Sequence, residues 1–597
     1  MRVAVVAGPG RTALLQELAE DGTGYAAPTL VNDLPAAVAD YERTGPDRGG
    51  PDRGGTERGE PVPDAPVPGD PVPGEPVPGE PVRWVWADTS TIYPSLLRSG
   101  VRVDRCHDIA LTEALLRASS GTTLPAGQHP AARPLLAGQA ALFGQAMLFG
   151  PAEPGIDEAR EILSALVSAH ADQLRRIAAD PYPARFGLLA AVESAGGLCA
   201  AEMRARGMPW RADVHDALLE GLLGRRPGPG FRPPRLAGLA AQISAAFGGR
   251  PVNPDSPAQV LKAFATEGIP VSSTRSGVLR DIDHPAVPLL LEYKELARLH
   301  AAHGWSWLDE WVRDGRFHPE YVVGGVVSGR WASRGGGALQ IPRVVRRAVV
   351  ADPGWALVVA DAAQLEPRVL AALAGDHAFA EAAGSGDLYQ ALAGAFGGDR
   401  GKAKVALLSA MYGGAGGEAS QLLAVLRRRF PRADAYVEAA ARAGEEGRVV
   451  RSRLGRACPP PSAEWRGLTA SPDEPGADDQ RARRSLRARG RFTRNFVVQA
   501  SAADWALVLL AGLRRRLAAM GPAGTDGAAG SAWALEAPGL VFFQHDEVIV
   551  HCPQAMALAV AAAVGEAAEE AGRLLFGATP VRFPVTTAVV DCYADAK

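Results

Sequence analysis

The chain has 597 residues, room at roughly 150 residues per domain for about four domains, which excludes a single small binding module. Lys and Arg number 63 against 66 Asp and Glu, a formal charge of −3, so no global basic excess marks a nucleic-acid partner, and any such partner must be met by local patches. The 68 Gly and 48 Pro exceed what packed elements use and imply long irregular segments. The five cysteines (Cys106, Cys199, Cys458, Cys552, Cys592) lack C-x-x-C spacing, which argues for ordinary thiols in a reducing compartment. No signal-peptide pattern opens the chain and no run reaches ~18 apolar residues, so a cytosolic protein without a membrane partner is expected.

In chain order, Val3 to Ala7 reads as a strand and the rest of residues 1–43 as helix-like, the opening of an α/β domain. From Thr44 to Val82 the composition changes to Gly-rich and then PVPGE-type repeats, a disordered or polyproline-II-like insert that serves as a linker or as a proline-rich ligand for a protein partner. Structure resumes at RWVWAD (83–88). Helical periodicity follows over Ala110–Ser119, Gly155–Ala179 and Phe186–Gly207. Pro/Gly breaks stand at 225–235, 471–479 and 521–532.

The chemistry lies between these breaks. Ala356–Ala360 is an apolar strand ending in Asp361, followed by a helix with Gln364, Glu366 and Arg368 near its start; the aspartate is either a helix cap or a metal-facing carboxylate. Leu540–Phe543 and Val548–His551 read as a hairpin around Gln544, His545, Asp546 and Glu547, whose acids are either solvated turn residues or, with Asp361, a two-metal site. Arg400, Lys404, Leu408 and Tyr412 fall at i, i+4, i+8 and i+12 of a helix that Gly413 and Gly414 can end. That face suits a nucleoside triphosphate or is simply a solvated basic face. Arg491, Asn495 and Gln499 form a second ladder, suited to base edges, sugars and phosphates or to a plain polar surface.

Taken together, DAAQLEPR, RGKAKVALLSAMYG and QHDE resemble, in order and spacing, the three catalytic motifs of family A DNA polymerases, the bacterial DNA polymerase I type. SGRWASRGGGALQIP (328–342), LLEYKELARL (290–299) and NFVVQ resemble flanking segments of the same family, so the likeness covers roughly 186–597. The resemblance implies a mixed α/β and α+β multidomain chain: a degenerate RNase H-like 3′→5′ exonuclease domain (1–182, interrupted at 44–82), then a right-hand polymerase. In that hand the thumb is 183–320, the palm, an antiparallel sheet, is 321–375 and 495–597, and the fingers are 376–494. It implies a nucleotidyltransferase that adds dNTPs to primer–template DNA in replication and repair. Two Mg²⁺ ions, or Mn²⁺ in their place, would be held at Asp361, Ala362 and Asp546, with Glu547 an accessory carboxylate. Glu366 would exclude a 2′-hydroxyl; Arg400 and Lys404 would hold the phosphates, with Lys404 protonating pyrophosphate. Gln364, Leu408, Tyr412 and His545 would complete the nucleotide site, while Arg330, Arg491, Asn495, Gln499 and Tyr412 would contact the duplex. A monomer in the bacterial cytoplasm, at the nucleoid and without a 5′ nuclease domain, is expected.

Departures are visible. Ala362-Ala363 stand for the usual Tyr-Ser, Pro367 for Leu, and Leu408 for an aromatic residue. In the exonuclease-like part Asp88, Asp108 and Asp172 resemble three of the four acids, but no D-x-E is read anywhere in residues 1–43, the first strand, RVAVVAGPG, offering none, and Val167 stands where tyrosine would precede Asp172. An inactive exonuclease is therefore expected. The alternatives are an enzyme with both activities, a hydrolase working from the N-terminal part, and a catalytically idle primer–template binding protein.

Overall fold

A computed structural model describes residues 1–44, 82–120, 154–228, 230–384, 386–412, 418–470, 477–521 and 535–596. The expected insert, most of the 471–479 and 521–532 loops, and Gly413-Gly414 lie outside the described residues.

The N-terminal part is a five-stranded sheet in the order β3-β2-β1-β4-β5, made of β1 (Arg2–Ala7), β2 (Ala13–Leu18), β3 (Thr29–Val31), β4 (Arg83–Trp86) and β5 (Arg105–Asp108). The β1–β4 and β4–β5 pairs are parallel and the other two antiparallel. The expectation of a helix directly after the first strand is corrected here. Leu14 and Leu15 pair with Val6 and Val5 as the second arm of a hairpin, and the helix, α1 (Leu34–Thr44), comes later. α2 (Thr89–Arg98) and α3 (Ile109–Ser119) follow β4 and β5, each N-capped by an aspartate side chain, Asp88 and Asp108. α4 (Ile156–Ala178) packs across β1 and β2.

α5 (Pro183–Arg206) leads into a helical region whose members Ala212–Leu223, Pro234–Ala246, Pro257–Thr266 and Ala286–His303 share one apolar cluster. The second sheet has the order β7-β8-β6-β9, all antiparallel, from β6 (Trp355–Ala362), β7 (Gly539–Gln544), β8 (Glu547–Pro553) and β9 (Val585–Val590). β6 is apolar from Trp355 to Ala360, ahead of Asp361, because both of its faces are covered there. Val358 and Ala360 join the main core, whereas Leu357 and Val359 join a second cluster with Phe542, Ile549 and Tyr593.

The main core is completed by α6 (Leu365–Ala374), α7 (Leu388–Ala393), α8 (Arg400–Tyr412), α9 (Pro431–Glu445), α10 (Ala477–Met520) and α11 (Ala557–Phe576). α10 runs unbroken through the position, 494/495, where a domain boundary was expected. Its Gly490 is a packing device: a Cβ there would stand 2.7–2.9 Å from Glu445 of α9. α5 and residues 480–520 are long and apolar enough to cross a membrane, yet both are mostly buried and pack on each other. All five cysteines are free thiols.

The two sheet systems meet at a buried ionic cluster. Arg514 of α10 donates from Nε to both oxygens of Glu202 at 3.0 Å and from Nη1 to the Asp104 carbonyl at 2.7 Å, and Tyr93 Oη donates to Glu202 at 2.6 Å. Against its burial, Arg514 and Arg102 hold the Glu202 carboxyl below its ordinary range. Removing one member of such a cluster strands the other charge in the core. Arg514→Ala is expected to cost about 3–5 kcal/mol in urea unfolding, several times the loss from Arg175→Ala on the surface.

Candidate active site

The two carboxylate segments, remote in sequence, are neighbours in the second sheet. β6 and β8 pair so that Asp361 stands opposite Glu547, and the Ala362 N–H donates to the Asp546 carbonyl at 3.0 Å. β7 and β8 are joined by the two-residue turn His545-Asp546, in which His545 takes φ 58°, the left-handed conformation that such tight hairpins use. The hairpin reading is borne out, with one refinement: Glu547 is the first residue of β8 rather than part of the tip. It is buried and accepts a hydrogen bond from the Tyr593 hydroxyl. Burial, then Glu547 and Asp361, push that phenol above its ordinary range.

Asp361 and Asp546 are both half-buried. Hard carboxylate oxygens from a strand and the adjoining hairpin turn fit a hard divalent cation. Among the described residues no cluster of three or more His, Cys, Asp or Glu has metal-holding geometry. Asp361 and Asp546 could offer such a cation two carboxylates, and its remaining ligands would have to come from the main chain, water or a bound substrate.

Beside the carboxylates, four of the predicted side chains, Arg330, Tyr412, Gln499 and His545, gather around Glu366. Arg330 bridges one of its oxygens and the Tyr412 hydroxyl donates to the other. Gln499 is close enough to the same hydroxyl to favour its ionised form, against burial and Glu366, which push its pKa upward. His545 is near enough that, after burial, the Arg330 guanidinium lowers its pKa, while Glu366 works in the opposite sense. Asn495 and Arg491 lie along α10 toward its N-terminal end; the Asn495 Oδ1 is buried without a hydrogen-bond partner and Arg491 is exposed.

The cationic face of α8 begins a few residues away. Arg400 donates from Nε to Asp387 at 2.8 Å and lies 5.5 Å over the Tyr389 ring. Lys404 is exposed one turn on, and Leu408 packs on the core. Gln364, read as a nucleotide contact, is engaged within the protein: its Nε2 donates to Asp387 at 2.8 Å and its Oε1 accepts from Leu388 N at 2.8 Å. Asp387 was not singled out in the sequence, although D-L-Y-Q is a helix-start signal. It caps α7 and joins Gln364 to Arg400. Burial would raise its carboxyl, but Arg400 and Gln364 hold it at about 2.

In the N-terminal sheet, Asp88 and Asp108 are close enough for the charge of one to raise the other. Both are occupied as helix caps, and Asp108 also accepts from Thr89 N and Oγ1, both at 2.7 Å. Asp172 is tied to Arg175 and Arg176 on the surface of α4. A D-x-E does occur within residues 1–43, as Asp40-Tyr41-Glu42, which corrects any reading of that stretch as lacking one. It lies on helix α1 and not on a strand. Glu42 accepts from Trp84 Nε1 at 2.7 Å and is pushed up by burial to about 7.

The fold is that of a polymerase domain. The chain superposes over its whole length on 95% of the polymerase domain of Pol1 from M. smegmatis, a structure in complex with DNA primer–template and dNTP, with a TM-score of 0.65 at 19% identity. The profile of DNA polymerase family A matches residues 234–593, and the chain belongs to that family. It is 28% identical to the thermostable DNA polymerase I of Thermus thermophilus over 330 residues, which is 50% of this chain and 36% of that protein. It is 34% identical to the DNA polymerase I of Chloroflexus aurantiacus over 165 residues, 24% of this chain and 17% of that one. The chain thus spans well under two thirds of these curated relatives.

Burial, then the charge of Asp88, lift the Asp108 carboxyl to about 7, against hydrogen bonds from Leu111 and Thr89. A raised carboxyl keeps its proton longer in the folded state. Its contribution to stability is therefore full below about pH 4 and lost as pH rises through 7. Asp108→Asn retains a capping side chain and abolishes the titration. Urea melts at pH 4, 5.5 and 7.5 are expected to show the stability difference, wild type minus variant, falling across that window; parallel profiles would refute the assignment.

Proposed function

We propose that the chain is a template-directed DNA polymerase, extending a primer 3′-hydroxyl with dNTPs in replication and repair. Its N-terminal sheet (1–182) is a 3′→5′ exonuclease-like unit without activity. In this reading 183–320 is the thumb, 321–375 and 495–597 the palm, and 376–494 the fingers. The carrying observation is the pairing that sets Asp361 opposite Glu547 and bonds the Ala362 N–H to the Asp546 carbonyl, with Arg400 of α8 linked through Asp387 to Gln364. The primer–template and dNTP bound to the M. smegmatis domain support the same reading.

Asp361 and Asp546, with the main chain at Ala362, would hold two Mg²⁺ or Mn²⁺ ions, which when bound acidify the primer hydroxyl and neutralise charge on pyrophosphate. The chain's own side chains do the rest. Arg400 and Lys404 grip the triphosphate, and Lys404 delivers a proton to the departing pyrophosphate. Glu366, fixed from both sides by Arg330 and Tyr412, forms a rigid floor under the sugar, where a 2′-hydroxyl would collide. Asn495, with Arg330, Arg491, Gln499 and His545, meets the duplex, which is read by shape while base pairing supplies sequence. The working form is a monomer at the bacterial nucleoid, with the proline-rich insert available to a protein partner.

The exonuclease-like unit lacks an acidic pair on its first strand, and its remaining acids cap helices or pair with arginines. Primer extension with Mg²⁺ and dNTPs tests the whole reading. Asp361→Ala and Asp546→Ala are each expected to slow it by about a hundredfold to a thousandfold or more. Lys404→Ala is expected to lower kcat by roughly a hundredfold with primer–template affinity retained. Removal of 3′ nucleotides from single-stranded DNA should be absent. Shortened DNA, unaffected by either aspartate change, would point to a hydrolase, and duplex binding without extension to an idle binding protein.

A further inference from the structure

Behind Arg330 lies an ionic triad that the proposed chemistry does not use. Arg456, 5% exposed, donates from Nη2 to Glu193 Oε2 at 2.7 Å and from Nε to Asp504 Oδ1 at 3.1 Å. Glu193 comes from α5 and Asp504 from α10, with side chains 4% and 0% exposed. The Arg456 main chain is itself fixed, its N–H donating to Ser452 Oγ at 2.9 Å and its carbonyl accepting from Ser452 N at 2.8 Å.

The turn that bears Arg330 rests directly on this triad. Gly324 and Gly329 take φ 61° and 84°. A Cβ on Gly329 would stand 2.3 Å from Arg456 Nε, and one on Gly324 2.5 Å from Glu193 Oε1. Only glycine lets the main chain come so close in that conformation. The turn is closed by Gly329 N–H to the Val326 carbonyl at 2.8 Å and Val326 N–H to the Arg330 carbonyl at 3.0 Å. On the other side of Arg330, Trp331 is buried between Tyr321 and Phe543, with ring centroids 5.3 and 5.0 Å away. Arg330 is thus the one cationic side chain between two anchors. A buried ion triad adds little stability over apolar side chains of equal volume, but its fork geometry fixes positions.

We propose that Glu193, Arg456 and Asp504 are positioning residues for Arg330, holding the 324–330 turn so that its guanidinium stays on Glu366 at the mouth of the site. The functional half of this proposal rests on the reading of Arg330 as a primer–template contact. Two arms separate the halves. In the free full-length protein, hydrogen exchange followed by mass spectrometry is expected to quicken at least about tenfold over Gly325–Arg330 in Arg456→Lys and Glu193→Gln, with β6 and β8 unchanged. Gly329→Ala should do the same from the turn's side.

In primer extension, Arg456→Lys is expected to slow the reaction roughly tenfold to a hundredfold, the scale of a ~1 Å misplacement. In an Arg330→Ala background it should slow it by less than about twofold, since effects that pass through one residue do not add. Unchanged exchange over 325–330 would overturn the proposal, as would a full-sized effect of Arg456→Lys in the Arg330→Ala background. Quickened exchange together with wild-type extension by Arg330→Ala would uphold the positioning and overturn the reading of Arg330.

Discussion

Asp361 ends a strand flanked on both sides, by Glu547 of β8 and Thr586 of β9. Main-chain hydrogen bonding in that sheet is obligatory, because both faces of β6 are covered by apolar clusters. The register that satisfies it also forces three acids from two distant segments into one small volume. Such crowding is tolerable only where positive charge or strong donors answer it. The Tyr593 hydroxyl supplies one donor to Glu547, and close by Arg330 pairs with Glu366 while Arg400 pairs with Asp387. The site is therefore a consequence of the sheet's pairing.

The same logic explains what was readable in the sequence. β6 and the β7–β8 hairpin declare themselves because their apolar runs are dense and the acids interrupt them at fixed points. The i, i+4 ladder from Arg400 to Tyr412 is legible because a helix face is a local property. Long-range pairing is not: the Leu14 and Leu15 segment has a spacing that also suits a helix, and only partners on β1 make it a strand. Asp387 and Arg456 escaped for a related reason, since each works by joining side chains from separate elements. The D-x-E at Asp40 to Glu42 shows the converse, a motif spelled out on an element where it presents no strand-borne pair.

The N-terminal sheet is not an appendage. Asp88 and Asp108 have become caps, and the charged residues between this unit and α10 form a closed ionic cluster around Glu202. Through this cluster the unit braces α5 and α10. α10 thus serves two places along its length: Gln499 beside Tyr412, and Arg514 in the brace, ~22 Å further along at 1.5 Å per residue.

The order of the second sheet also has a temporal meaning. Synthesis proceeds from the N-terminus, so all five strands of the first sheet exist once residue 108 has been made. β6 has no such neighbour at hand: both strands that flank it lie beyond residue 546. Until they arrive, an apolar strand ending in a carboxylate waits with both edges open, the arrangement most prone to pairing with other chains. In order of synthesis every member of the brace at Arg514 precedes β7, whereas the carboxylate site is complete only with Asp546 and Glu547.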